Sequence, residues 1–151
     1  MFVAGTVLFV AACSGSASTG DSAPNAAVLD RGRAVYQANC AVCHGDRGQG
    51  ESPNWKSPNA DRTYPAPPHD SSGHTWHHPD QVLFDIVKNG GGQYNSPTFQ
   101  SRMPASSGNL SDEEIRAALA YIKTMWGPRE RDEQRKITEN WPRPNPIQRG
   151  P

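Results

Sequence analysis

Apolar and polar positions divide the chain into segments of distinct kinds. Met1 to Ala12 are almost wholly apolar, but the run is too short to span a bilayer as a helix, which needs about 20 residues. Ser14 to Asn25 are Ser, Gly, Ala, Thr and Asp with one Pro, the composition of a flexible linker. From Ala26 to Asn39 a broken apolar face of Val28, Leu29, Ala34, Val35 and Tyr36 predicts a helix. A second helix is expected over Pro79 to Asn89, with Val82, Leu83, Ile86 and Val87 on one face, Pro79 at the first helical position and Gly90 just beyond the end. A third is announced by Ser111-Asp112-Glu113-Glu114, a capping box. It continues with Ile115, Ala118, Leu119, Ile122 and Trp126 on one face and stops at Gly127-Pro128.

Between these helices the period disappears. Glu51 to Trp76 carry Pro53, Pro58, Pro65, Pro67 and Pro68, and Gly90 to Arg102 form another loop. A loop as long as the first is unusual in a small domain unless it wraps something. Beyond Gly127 the chain is charged from Arg129 to Glu139 and Pro-rich from Trp141 to Pro151. Asp132 and Lys136, four apart, suit a solvated helix. The pattern is therefore all-α, with one domain over 26–126, a linker at 13–25 and a tail at 127–151.

Composition sharpens this. Only 34% of the 151 residues are hydrophobic, and Gly and Pro number 14 each. That is lean for a self-sufficient core and reasonable if a large apolar cofactor supplies part of it. Formal net charge is zero with the signs interspersed, so nothing argues for nucleic acid.

The cofactor is named by Cys40-Ala41-Val42-Cys43-His44, the spacing of a c-type haem attachment. Each thiol adds to one vinyl group of the macrocycle, and the adjoining His44 is held against the iron. A zinc ribbon would need a second Cys pair, and a redox dithiol has no use for His44. The remaining cysteine, Cys13, ends the apolar run as Val10-Ala11-Ala12-Cys13, which looks like the lipobox of a bacterial lipoprotein. Residues 1–12 would then be its signal peptide, and Cys13 the lipidated residue. A plain secretory signal or an uncut anchor is the alternative, and no Lys or Arg precedes the apolar run. No thiol is left for a disulfide. Haem attachment and lipidation both require export, so a periplasmic or other extracytoplasmic location on a membrane is expected.

Gly32-x-x-x-Tyr36-x-x-x-Cys40-x-x-Cys43-His44 resembles the N-terminal helix and haem motif of class I cytochrome c. The resemblance spans about Ala26 to Trp126 and implies three to four helices with long loops wrapped around one covalent haem c. In that family the Gly lets the first helix cross the last closely, with the aromatic at the crossing. A Pro carbonyl often accepts the N–H of the axial His, and Pro53 is the candidate here. Met-Pro precedes the last helix, which points to Met103 as the sixth ligand. The residues agree, because Met1 falls in the signal and Met125 in a helix, and a neutral thioether stabilises ferrous iron.

His44 and Met103 as axial ligands imply an electron carrier rather than an enzyme, serving redox protein partners such as an oxidase, reductase or dehydrogenase. Trp55, Tyr64 and Trp76 are candidates to pack on the ring or bond a propionate, and Arg62 to pair with one. His74, His77 and His78 are rival axial ligands or a copper or zinc cluster. An open sixth position would instead give a haem enzyme or a site for peroxide or a small gas.

Overall fold

The computed structural model describes residues 24–106 and 108–142. The apolar run 1–12, Cys13 and most of the linker lie outside the described residues, as does most of the Pro-rich end. In chain order the elements are α1 (Ala26–Asn39), α2 (Ala41–His44), α3 (Asp80–Asn89), α4 (Asp112–Thr124) and α5 (Pro128–Asn140). Single 3-10 turns lie at Thr75–His77 and Gly91–Tyr94. The described residues contain no strand, only isolated bridges at Thr63–Gln100 and Ser96–Phe99. The architecture is all-α as expected, with more helices than the three or four anticipated. The additions are α2, a single turn carrying the cysteine motif, and α5.

Local chemistry accounts for the helix ends. The Asn25 carboxamide oxygen accepts the Val28 N–H at 2.9 Å and opens α1. Ser111 and Glu114 cap α4 reciprocally, as their spacing predicts. At α3, Pro79 is the cap itself and the helix starts at Asp80, one residue later than expected. The Asp80 N–H is taken up from a distance, donating to the Thr138 hydroxyl of α5 at 3.1 Å.

The core lies where α1 crosses α4. Gly32 makes the crossing possible, since a Cβ built on it would stand 2.0 Å from the Ala117 carbonyl oxygen. Tyr36, one turn on, is fully buried, packs its ring at 5.5 Å from that of Tyr121 and donates its hydroxyl to Gly45 O at 2.8 Å. Burial, more than any neighbouring charge, pushes the phenol above its ordinary pKa, so it stays a donor. Tyr36, Ala41, Leu83, Ile115, Leu119, Ile122 and Trp126 form the buried cluster. Cys40, Trp76, Phe84, Val87 and Leu110 pack against it half-covered.

Helix α5 is not merely solvated. Asp132 and Lys136 do pair, at 2.6 Å, but the inner face buries Gln134 completely. The Gln134 amide donates to Asp80 Oδ1 at 2.6 Å and also lies within reach of His78 O and Thr138 Oγ1. Asp80 in turn pairs with Lys123 of α4 at 2.7 Å. A polar anchor thus joins α3, α4 and α5.

Candidate functional site

The end of α1 and the whole of α2 place Cys40, Cys43 and His44 on consecutive turns. The His44 N–H and the Cys43 N–H both donate to Cys40 O, at 2.9 and 3.1 Å, which winds the motif tightly. Neither Cys40 nor Cys43 is in a disulfide. Cys40 is half-buried against the core, and burial pushes its thiol up to about 11, while Cys43 is exposed. His44 is 7% exposed.

His44 Nδ1 donates to a proline carbonyl at 2.8 Å, and that carbonyl belongs to Pro67 rather than Pro53. The reason lies in the loop. Glu51 N donates to Ala66 O at 2.9 Å, Ala66 N to the Glu51 carboxylate at 2.8 Å, and His69 N to Gly48 O at 2.7 Å. Residues 66–69 therefore run back alongside 48–51, and Pro53 sits in the excursion between them. Left-handed backbone at Gly45, Gly48 and Gly50, with φ of 80°, 75° and 78°, turns the chain beneath His44. The Pro67 bond leaves Nε2 as the ring nitrogen available to a metal and makes it a better donor. Burial lowers the pKa of His44, opposed by the Pro67 carbonyl, so the imidazole is in its ligating neutral form.

Met103 lies half-buried on the loop before α4, and that loop is braced on several sides. Gly91 N donates to Met103 O at 3.0 Å, and Ser106 Oγ to Val87 O at 2.6 Å. Arg102 pairs with Glu51 at 2.9 Å, linking the Met103 loop to the segment that carries Pro67. The Ala66 N–H and then Arg102 hold the Glu51 carboxyl below its ordinary pKa. As an exposed pair, Glu51 and Arg102 contribute about 1 kcal/mol at most.

The other predicted residues divide. Trp76 packs against the core, and its indole N–H is buried without a partner. Trp55 stacks on His74 at 5.0 Å and Tyr64 lies against Phe99 at 5.2 Å. Arg62 sits on an exposed turn with φ of 68°. The histidine cluster does not assemble as a metal site. Among the described residues no three His, Cys, Asp or Glu side chains could jointly hold an ion. His77 turns onto Trp76 at 3.7 Å, while His74 is held by Trp55 and meets His78 edge-on at 5.3 Å. Burial, then His78 and His77, lowers His74 to about 4. His69 was singled out by no motif, and it stacks on His44 with ring centroids 3.8 Å apart.

A family model described as cytochrome c matches residues 29–126, more than half of the chain. The chain belongs to the cytochrome c family. Neither the curated proteins nor the solved structures gave a match. Membership brings a covalently bound haem c and electron transfer through it. The residues of this cytochrome fit such a group. An unpaired buried N–H costs about 1–3 kcal/mol, and the Trp76 indole is such a donor, suited to a propionate carboxylate. The partly buried side chains of Cys40, in the attachment motif, and Trp76 offer apolar surface to a macrocycle. No described helix is long and apolar enough to cross a membrane.

Proposed function

We propose that this cytochrome is a monohaem electron carrier, with haem joined to Cys40 and Cys43 and its iron held between His44 and Met103. It works outside the cytoplasm, tethered through a lipid on Cys13, and exchanges electrons with redox proteins. The observation that carries this is the His44 imidazole: buried, bonded at Nδ1 to Pro67 and joined in sequence to the two thiols.

The bound haem supplies a one-electron change at its iron. The chain does the rest. Cys40 and Cys43 tether the group at two points, and the Pro67 carbonyl keeps His44 in one tautomer with Nε2 free. The thioether of Met103 favours the ferrous state, and the braces at Glu51, Gly91 and Ser106 keep it in place. The unpaired Trp76 N–H would donate to a propionate carboxylate of the bound group. With both axial positions filled, substrate has no place on the iron.

This sets an expectation for small ligands. Reduced holo-protein at neutral pH does not bind carbon monoxide on mixing, and oxidised protein takes up cyanide only slowly, at a rate set by release of Met103. Stopped-flow absorption checks both. Fast, saturating binding of either ligand by the parent protein would establish an open iron and an enzyme or gas-binding role.

A further inference from the structure

His69 is tied to three parts of the fold. Its ring lies face to face with His44, the centroids 3.8 Å apart and the planes 16° from parallel. The His69 backbone N–H donates to Gly48 O at 2.7 Å, and its backbone carbonyl accepts the Trp126 indole N–H at 2.7 Å. The Tyr36 ring also lies against it, with centroids 5.9 Å apart and planes tilted by 60°. Nδ1 of His69 is enclosed and has no hydrogen-bond partner. Such an atom costs free energy, so the polarity of His69 is not what its stack on His44 uses; the flat ring is.

An imidazole binds a metal along a lone pair lying in its own ring plane. A ring stacked on His44 is displaced perpendicular to that plane. His69 is therefore beside the bond that His44 makes rather than across the iron from it, and stacked in this way it is no rival to Met103. What it can govern is rotation. The Cβ–Cγ bond and the Pro67 bond hold one edge of the His44 ring, Cγ and Nδ1, and a single hydrogen bond only weakly resists tilting of the ring plane about that edge. A flat neighbour at van der Waals distance removes this freedom, and the backbone that carries this neighbour is held by Gly48 and Trp126.

We infer that His69 is a positioning residue: stacked on His44, it sets the plane of the axial imidazole over the haem, and Trp126 holds it there. This rests on His44 being an axial ligand. Groups next to a metal ligand orient it and tune the metal even without touching it. The ring plane decides which iron orbitals the imidazole overlaps, so it is read by the magnetic anisotropy of ferric iron.

The test uses full-length holo-protein matured with covalent haem, as parent, His69→Phe and His69→Leu. Phe keeps a flat ring and lacks the nitrogens, whereas Leu keeps apolar volume and lacks the plane. Attached haem is quantified from the pyridine haemochrome, and the g values of the oxidised protein are read by electron paramagnetic resonance. We expect all three to carry equal haem. His69→Phe reproduces the parental g values, and His69→Leu shifts and broadens them as the His44 ring samples several orientations. Parental g values in His69→Leu overturn the inference, as does a shift in His69→Phe as large as that in His69→Leu. If His69→Leu does not fold, His69→Phe decides alone: parental g values support the stack and shifted ones overturn it. If His44→Ala leaves the parental spectrum unchanged, the axial assignment itself falls and the role of His69 with it. That outcome is distinct from a failure confined to the His69 variants.

Discussion

Gly32→Ala is expected to destabilise the holo-protein by about 3 kcal/mol, the upper range for overfilling a packed interior. The added methyl carbon would stand 2.0 Å from the carbonyl oxygen of Ala117, 2.6 Å from its carbonyl carbon and 3.0 Å from Tyr121 Cβ. Two of those atoms are helix backbone, which cannot swing aside as a side-chain tip does. Relief requires α1 and α4 to separate, and this loosens Tyr36, Ile115 and Leu119, which are buried at or near the crossing. Helix propensity works in the opposite direction, since Ala favours a helix over Gly by up to about 1 kcal/mol. The sign of the effect therefore separates the two causes. Against a typical total of about 5–15 kcal/mol, such a loss is large. Denaturant unfolding measures it, and an unchanged or raised midpoint would mean that α1 and α4 do not cross at Gly32.

Replacing both cysteines, Cys40→Ser with Cys43→Ser, is expected to reduce covalently retained haem from nearly complete to nearly none. In the proposed function these sulfurs carry the covalent attachment, so acidic organic solvent is expected to strip the cofactor from the double variant and not from the parent. Each single variant keeps one bond and resists extraction. The loss extends to the fold. Cys40 and Trp76 are partly buried beside the core, and any apolar area of theirs that the haem covers is returned to water without it. The stripped protein should accordingly melt well below the parent, as followed by circular dichroism. Haem retained in the double variant through extraction would place the attachment elsewhere.

Elements whose signals are local were legible in the sequence. Ala26 to Asn39 and the capping box at Ser111 each depend on neighbours within a turn, and they stand where the pattern puts them; α4 stops earlier than expected, at Thr124 with Met125 as its cap rather than inside it, and Gly127-Pro128 instead open α5. Gly32 was legible for another reason: a glycine inside a helix is a small penalty that asks for a close neighbour, and Ala117 is that neighbour. The acceptor for His44 was not. Five prolines in Glu51 to Trp76 were equally eligible, and Pro67 was chosen by backbone pairing of 66–69 with 48–51, which leaves no trace in periodicity. Likewise α5 docks through Gln134, Thr138 and Asp80. A polar anchor is invisible to a search for apolar faces. His69 stands outside the run of three clustered imidazoles and carries no motif of its own, yet the fold sends His77 onto Trp76 and brings the isolated His69 to His44. Its signal was its position two residues after the accepting proline, readable only once Pro67 is known to be that proline.

Ligation of the iron by both His44 and Met103 is the centre of the proposed function, and one spectrum addresses it. Oxidised holo-protein, matured with covalent haem, is scanned at long wavelength beside Met103→Ala. We expect a weak sulfur-to-iron band in the parent and its complete loss in the variant, with rapid cyanide binding gained at the same time. A parent without the band, or a variant that keeps it, would contradict His/Met ligation and leave the sixth position to another residue or to solvent.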